Sequence, residues 1–238
     1  MINSALFTDF YELTMTQGYW KDNMNQKVVF DMFFRKHPFN GGFSILAGNE
    51  TLMDIIENFR FSEEDIQYLA DQKIFEEGFL NYLKDFHFTG DLYTMDEGTV
   101  IFPQEPLVRI HANLIEAQIL EGLVLNHVNF QSLIATKTAR IWLASKKAPI
   151  MEFGLRRAQG PDGAMSATRA SYIGGAAGTS NTLAGKEYGI PVMGTMAHSW
   201  IMSHSSELEA FREYAKIYPK NSVFLIDTYD TLKSGIKN

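Results

Sequence analysis

Hydrophobic and polar positions in the first part of the chain follow patterns typical of both helices and strands. The predicted helices cover residues 6–20, 49–58, 62–71 and 75–85, and one long helix or two cover 113–145. Ser62, followed three residues later by Asp65, is the pattern of an N-terminal capping box. The predicted strands cover residues 28–35, 43–47, 90–94, 99–101 and 107–110. Residues 28–112 are therefore expected to form an α+β module.

After Pro149 the pattern changes to short apolar runs that alternate with helical segments. The predicted strands are 149–153, 177–180, 190–196 and 222–227, and the predicted helices are 162–174, 182–188 and 200–217. This alternation is typical of a parallel sheet. We predict an α/β fold with an N-terminal α+β domain at 1–135, ending in the long helix, and a partial parallel α/β barrel at 136–238. The pattern contains about four βα units, too few to close an eight-stranded barrel of about 250 residues, so the barrel is expected to be incomplete in this chain.

Polar side chains follow the apolar runs of the second part. Glu152 and Asp227 each end a run, and His198 comes just after another. Residues that follow barrel strands face the active site, where a neutral imidazole can act as acid, base or phosphate acceptor. The alternative for His198 is a histidine that only bonds a loop, and position alone does not separate the two. Asp227 can hold the second imidazole nitrogen or cap the next helix.

Phe153, Arg156 and Arg157 form a second candidate group at the end of the predicted strand 149–153. An aromatic face stacks on a flat ring and an arginine fork pairs with a carboxylate or phosphate, so the group suits a planar anion. The alternative is a solvated surface. The glycine-rich segment 174–180 does not match a phosphate-binding loop, and tight packing of a helix on a strand is the favoured interpretation. No spacing predicts a protein-bound transition metal.

Composition and charge exclude several classes of function. The chain has 238 residues, a net charge of −7 and no cysteine, so disulfides, thiolate metal sites and a cysteine nucleophile are impossible. An acidic chain provides no general attraction for nucleic acid or an anionic membrane. We expect no membrane span and no signal peptide, because the apolar runs are short and interrupted by charges. We predict a cytoplasmic protein whose partners are small molecules or other protein chains.

Five sequence blocks resemble the nicotinate phosphoribosyltransferase family. They are Thr8–Met15, Glu152–Ala158, Gly178–Asn181, Gly194–Ser199 and Asp227–Asp230. The resemblance implies a type II phosphoribosyltransferase barrel and transfer of a phosphoribosyl group from 5-phosphoribosyl 1-pyrophosphate to nicotinate in NAD salvage. The products would be nicotinate mononucleotide and pyrophosphate. It also implies ATP hydrolysis coupled through a phosphohistidine, with Mg²⁺ accompanying the ATP cosubstrate, and a homodimer with a shared active site.

The resemblance also implies roles for individual residues. His198 is expected to be the phosphorylated histidine, with Asp227 orienting its ring. Phe153 is expected to stack on one face of the pyridine ring, and Tyr11 of a neighbouring subunit on the other. These expectations agree with the aromatic and histidine chemistry inferred from the residues themselves.

Two further positions are expected to determine substrate choice. Arg156 is expected near the ring and the phosphoribosyl group, and Ser180 opposite the nicotinate carboxylate, where amide-using relatives carry an aspartate. Two alternatives stay open: a nicotinamide or quinolinate phosphoribosyltransferase, and a catalytically incomplete fragment that acts only through association with other proteins. Family members are longer, so this chain is expected to lack part of the phosphate site, and its activity alone is left open.

Overall fold

The computed structural model describes residues 4–238 and divides them at Ile190. The first unit ends at Ile190 and the second is Pro191–Asn238. The predicted domain boundary at residue 135 falls inside a long helix of the first unit, Glu121–Ala144, and it stays a prediction. No helix within residues 4–238 has the length and apolar character needed to cross a lipid bilayer.

Each helix predicted for the first unit is present, with small shifts of its ends. The helices are α1 Phe10–Lys21, α2 Asn49–Glu57, α3 Glu63–Asp71, α4 Glu77–Lys84, α5 Leu114–Ile119, α6 Glu121–Ala144, α7 Gly160–Ile173 and α8 Thr182–Tyr188. The predicted capping box of α3 is confirmed, because Ser62 accepts from the Asp65 amide and Asp65 from the Ser62 amide. The long helical pattern at 113–145 forms two helices, α5 and α6, that meet at Leu120.

Within residues 4–190, seven short strands form three small sheets. They are β1 Lys27–Met32, β2 Ser44–Ile45, β3 Asp91–Thr94, β4 Val100–Ile101, β5 Val108–Asn113, β6 Met151–Glu152 and β7 Gly178–Thr179. β5 lies between β1 and β3 with both pairs antiparallel, and β2 pairs with β4 in the same sense. Only β6 and β7 pair in parallel within the described part of the chain.

The main hydrophobic core lies between the three-stranded sheet and the helices of the first unit. Val108, Ile110 and Ala112 alternate along β5 with more exposed residues and face this core. Phe79 of α4 and Leu123 of α6 are almost completely buried in it. The alternation fixes the register of β5, because a shift by one residue would turn the apolar side chains toward solvent.

The glycine-rich segment contributes to packing, as predicted, although between two helices rather than between a helix and a strand. A Cβ on Gly174, which follows α7, would lie 2.4 Å from the carbonyl oxygen of Ala135 in α6. Real side chains do not approach a backbone oxygen so closely, so only glycine fits this position. The close approach holds α7 against α6 and so positions the segments on either side of α7.

The second unit contains two α-helices, α9 His198–Met202 and α10 Glu207–Ile217, and a short π-helix, Thr231–Gly235. The single helix predicted at 200–217 is wrong, because Ser206 ends the connecting segment and caps α10 by accepting from the Glu209 amide. Ile201 of α9 and Phe211 of α10 pack together in a small core.

The strands predicted at 190–196 and 222–227 are absent, apart from an isolated bridge residue at Val192. An apolar run forms a strand only when a neighbouring strand completes its hydrogen bonds and covers its side chains. Within residues 4–238 these runs have no such ladder, and Val192 and Val223 are each 52% exposed. The predicted α/β class is confirmed, whereas the order of strands in a partial barrel is not seen.

Candidate functional site

The parallel pair β6 and β7 brings two of the predicted substrate-binding residues side by side. Met151 lies opposite Gly178 and Glu152 opposite Thr179, so Phe153 and Ser180 follow at the same end of the pair. The Ser180 amide donates to the Glu152 carbonyl at 3.0 Å, which extends the pairing to that residue. Phe153 is 46% exposed and Ser180 is partly buried. We call Glu152, Phe153 and Ser180 the strand-end site.

The Glu152 carboxylate is the central acceptor of a polar network at the strand-end site. Its Oε1 accepts from the Gly154 amide, and its Oε2 accepts from the hydroxyls of Thr168 at 3.0 Å and Thr179 at 2.7 Å. Asn181 completes the network, because its amide donates to Thr179 Oγ1 at 2.9 Å and its Nδ2 to Thr168 Oγ1 at 3.2 Å. In the sequence, Glu152 stands out only as a polar residue at the end of an apolar run. Nothing in the sequence pairs it with threonines 16 and 27 positions away.

Arg156 lies in a short 3₁₀ turn, Leu155–Arg157, directly after the strand-end site. The turn is closed by the Arg157 amide, which donates to the Gly154 carbonyl at 2.9 Å. Both arginine side chains are exposed, as a group that receives a carboxylate or phosphate from solution must be. The local geometry therefore puts an aromatic ring, a hydroxyl and two cations in one short stretch of the fold.

Tyr11 lies in the first turn of α1 and is 47% exposed. Its hydroxyl donates to Glu121 Oε1 at 3.1 Å. Desolvation has the largest effect and the hydrogen bond to Glu121 the second largest, and together they raise the pKa of Tyr11 to about 12, so the phenol stays neutral. Within the described residues, no hydrogen bond or ring contact joins Tyr11 to the strand-end site. Its role across a subunit boundary stays a prediction.

Glu12, beside Tyr11, is a buried carboxyl that was not among the predicted site residues. It is 0% exposed and accepts from the Thr8 hydroxyl. Burial raises the pKa of Glu12 above its ordinary value, with the nearby charge of Glu121 adding to the effect, despite the Thr8 hydrogen bond. Glu12 falls at i+4 from Thr8, and this spacing across the start of a helix was the one available sequence signal.

His198 is the first residue of α9 and is exposed. Its Nδ1 shares a hydrogen bond of 3.2 Å with Thr228 Oγ1. The predicted partner was the preceding residue, Asp227, and within residues 4–238 no hydrogen bond joins Asp227 to the imidazole. Asp227 does not cap a helix either. Asp230 does so instead, accepting from the amides of Leu232 and Lys233.

A buried ion pair formed by Arg169, the residue after Thr168, was not predicted from the sequence. Arg169 in α7 donates to both carboxylate oxygens of Glu97, at 2.9 and 2.6 Å, and to Glu50 at 2.8 Å. The side chain of Glu97 is 6% exposed, and that of Arg169 is 13% exposed. Burial alone would lower the pKa of Arg169, but its bonds to Glu97 outweigh this and raise it. The pair ties α7 to segments far away in the sequence.

Within residues 4–238, no group of three or more histidine, aspartate or glutamate side chains is arranged to hold a metal ion. The carboxylates at the strand-end site and around Arg169 are engaged by hydroxyl, amide or guanidinium donors. Their geometry suits positioning and charge balance rather than metal coordination.

Two family models match the chain. The model for the nicotinate phosphoribosyltransferase (NAPRTase) N-terminal domain covers residues 6–129, and the model for the nicotinate phosphoribosyltransferase (NAPRTase) family covers 148–234. Both the α+β region with α1 and Tyr11 and the region with the strand-end site and His198 are therefore matched.

Two of three similar proteins carry the same designation, and the third is named a nicotinate-nucleotide pyrophosphorylase. Nicotinate phosphoribosyltransferase pncB2 of Mycobacterium tuberculosis is 48% identical over 229 residues, which are 96% of this chain and 49% of that protein. The crystal structure of human nicotinic acid phosphoribosyltransferase matches 96% of this chain and 56% of its own, with a TM-score of 0.86 and 32% identity. Nicotinate-nucleotide pyrophosphorylase from Pyrococcus furiosus matches 94% of this chain and 51% of its own, with a TM-score of 0.78 and 26% identity. The chain spans about half the length of these relatives.

Proposed function

Because the chain belongs to the nicotinate phosphoribosyltransferase family, we propose that it serves phosphoribosyl transfer to nicotinate in cytoplasmic NAD salvage. The donor is 5-phosphoribosyl 1-pyrophosphate, and the products are nicotinate mononucleotide and pyrophosphate. The observation that carries this proposal is the pairing of β6 with β7, since it aligns the aromatic Phe153 with the hydroxyl-bearing Ser180. A flat, anionic heteroaromatic acid needs that combination of a stacking face and a hydrogen-bond donor.

In the proposed reaction the protein contributes positioning more than covalent chemistry. The pyridine nitrogen attacks C1 of the ribose, a C–N bond forms, and the C–O bond to pyrophosphate breaks, so that pyrophosphate leaves with the bonding electrons. Phe153 holds the ring plane, Ser180 faces the carboxylate and Arg156 balances the negative charge. Tyr11 of a second subunit covers the other ring face. This role is supported by the exposure of the Tyr11 ring and by the hydrogen bond of its hydroxyl to Glu121.

We also propose that His198 accepts a phosphoryl group from ATP, which brings Mg²⁺ as its counterion. With the proton on Nδ1 donated to Thr228 Oγ1, Nε2 is free to attack the γ-phosphorus. An N–P bond forms as the bridging P–O bond breaks, and ADP leaves. Asp227 keeps its proposed role as an orienting residue from its place beside Thr228. The partial parallel barrel also remains a proposal, supported by the likeness to longer relatives.

The test of the proposed function is product formation from labelled nicotinate and the phosphoribosyl donor, with and without ATP. We expect nicotinate mononucleotide, and faster formation with ATP. The assay is run on the 238-residue chain and on the complete gene product, if that is longer. Nicotinamide and quinolinate compete in parallel reactions, and a preference for either would contradict the proposal. A chain that binds other proteins but none of these acids would support the alternative of a catalytically incomplete fragment.

Phosphorylation of His198 is tested against a second histidine that lies just after α9. Labelled ATP is expected to label wild type but not His198→Ala, while ATP-independent product formation persists. His204→Ala is the matched control, because His204 is a nearby histidine whose Nδ1 is engaged by the Trp200 carbonyl at 2.7 Å. Equal labelling of His198→Ala and wild type would rule out His198 as the acceptor.

A shared site is tested by mixing two inactive variants. Tyr11→Ala and Phe153→Ala each remove one proposed face of the ring pocket. If the faces come from different subunits, mixed dimers regain one intact site, and about a quarter of wild-type activity should return on mixing. No recovery, in a mixture shown to exchange subunits, would argue that both faces belong to one subunit or that Tyr11 has no role.

A further inference from the structure

The three donors that surround Glu152 all require an acceptor, and only an ionised carboxylate satisfies them together. The Gly154 amide can only donate. The hydroxyls of Thr168 and Thr179 each accept from Asn181, so each has its proton left for Glu152 Oε2. The hydrogen bonds therefore run in one direction, from Asn181 through two threonines to Glu152. Bonds to an ionised acceptor are about twice as strong as neutral ones.

The network forms hydrogen bonds to both chain segments of the strand-end site. Oε1 of Glu152 holds the Gly154 amide, immediately after Phe153, while Oε2 holds Thr179, immediately before Ser180. The Glu152 carbonyl also receives the Ser180 amide at 3.0 Å. A Cβ on Gly154 would lie 2.7 Å from Oε1, so glycine at this position allows the carboxylate to turn back onto its own chain.

We propose that Glu152 is a positioning residue that fixes Phe153 and Ser180 relative to each other and thereby sets the affinity for the pyridine acid. This inference rests on the proposed function of the strand-end site. Glu152 does not touch the substrate; it acts through the Gly154 amide and through Thr179. The buried hydroxyls explain why a carboxylate is needed here, since Thr168 and Thr179 are each 1% exposed and find no water in its place.

The principal test is Glu152→Gln in the catalytically competent form of the protein. The amide keeps the shape of the side chain but turns an acceptor into a donor facing two hydroxyls. We expect KM for nicotinate to rise about 10- to 100-fold, the effect of losing hydrogen bonds to a charged group, with KM for the phosphoribosyl donor nearly unchanged. A purely structural role would lower the active fraction, and hence kcat, without this separation of the two KM values.

Two further variants keep the proposal testable if Glu152→Gln folds poorly. Thr179→Val removes one hydroxyl at nearly constant volume and should raise KM for nicotinate in the same direction, whereas Thr179→Ser keeps the hydroxyl and should recover most of the affinity. Glu57→Gln, on an exposed carboxylate of α2, is the control for loss of one negative charge. Equal KM values for Thr179→Val, Thr179→Ser and wild type would overturn the proposal.

Amide hydrogen exchange separates failure of this inference from failure of the proposed function. The Gly154 and Ser180 amides should exchange faster in ligand-free Glu152→Gln than in wild type, whatever the substrate is. If wild type does not convert nicotinate but the exchange effect is present, the function is wrong and the positioning role stands. If wild type converts nicotinate and neither exchange nor KM responds, the positioning role is wrong.

Discussion

Arg169 offers the sharpest test of how the first unit is held together. Replacing it with methionine keeps the aliphatic stem but removes the guanidinium that bonds Glu97 twice and Glu50 once. The Glu97 side chain, which is 6% exposed beside Arg169, would then keep the Gly48 amide as its remaining described donor. A buried carboxylate without its cation still carries the free-energy cost of removal from water, but lacks the ion pair that offset this cost.

The two acidic partners of Arg169 differ mainly in burial, which sets the magnitudes. Removing one member of a buried pair costs about 3–5 kcal/mol, so Arg169→Met should lower the melting temperature by about 6–20 °C for a domain of this size. The side chain of Glu50 is 65% exposed, and Glu50→Gln should cost no more than about 1 kcal/mol. In Arg169→Met with Glu97→Gln, part of the loss should return, because no uncompensated charge stays buried.

The assay is urea unfolding followed by far-ultraviolet circular dichroism, with thermal melts of the same proteins. All four proteins are compared at one pH and salt concentration, because the exposed Glu50 bond weakens as salt rises. A loss of unfolding free energy below about 1 kcal/mol in Arg169→Met, no larger than that in Glu50→Gln, would refute the role of the buried ion pair. The role is also refuted if adding Glu97→Gln to Arg169→Met lowers the stability further, as a second independent substitution would.

Three further predictions follow from the contacts. Gly174→Ala should lower the free energy of unfolding by about 1–3 kcal/mol in denaturant titrations, because its Cβ would meet Ala135, and an unchanged midpoint would contradict that close approach. The difference in unfolding free energy, wild type minus Glu12→Gln, should fall as pH rises above the ordinary carboxyl pKa of 4.5. The reason is that the fold stabilises the protonated Glu12 carboxyl, and this stabilisation is lost as the carboxyl ionises at its raised pKa. A difference that does not depend on pH would exclude this effect. Ser180→Asp should weaken nicotinate relative to nicotinamide by about tenfold or more through like-charge repulsion, measured as a ratio of kcat/KM values.

Much of the local structure followed from the sequence alone. The capping box at Ser62 and the helical spacing of 49–85 were predictable because caps and amphipathic helices are encoded by residues within one or two turns of each other. The motif around Phe153 pointed to an aromatic and cationic site for the same reason, since its members are neighbours in the chain. The side-by-side arrangement of Phe153 and Ser180 was not predictable from spacing, because the strand pairing joins segments 27 residues apart.

Tertiary structure decided the features whose cause lies far away in the sequence. Two apolar runs, 190–196 and 222–227, have the composition of strands but form no strand within the described chain, because pairing depends on a neighbour that composition does not specify. The hydrogen bond of His198 to Thr228 rather than Asp227 likewise depends on how a loop turns. The sequence determined which chemistry is available: an aromatic, a hydroxyl, a carboxylate and an imidazole. Packing determined which of these groups meet, because directional bonds between distant segments form only once the fold has brought them together.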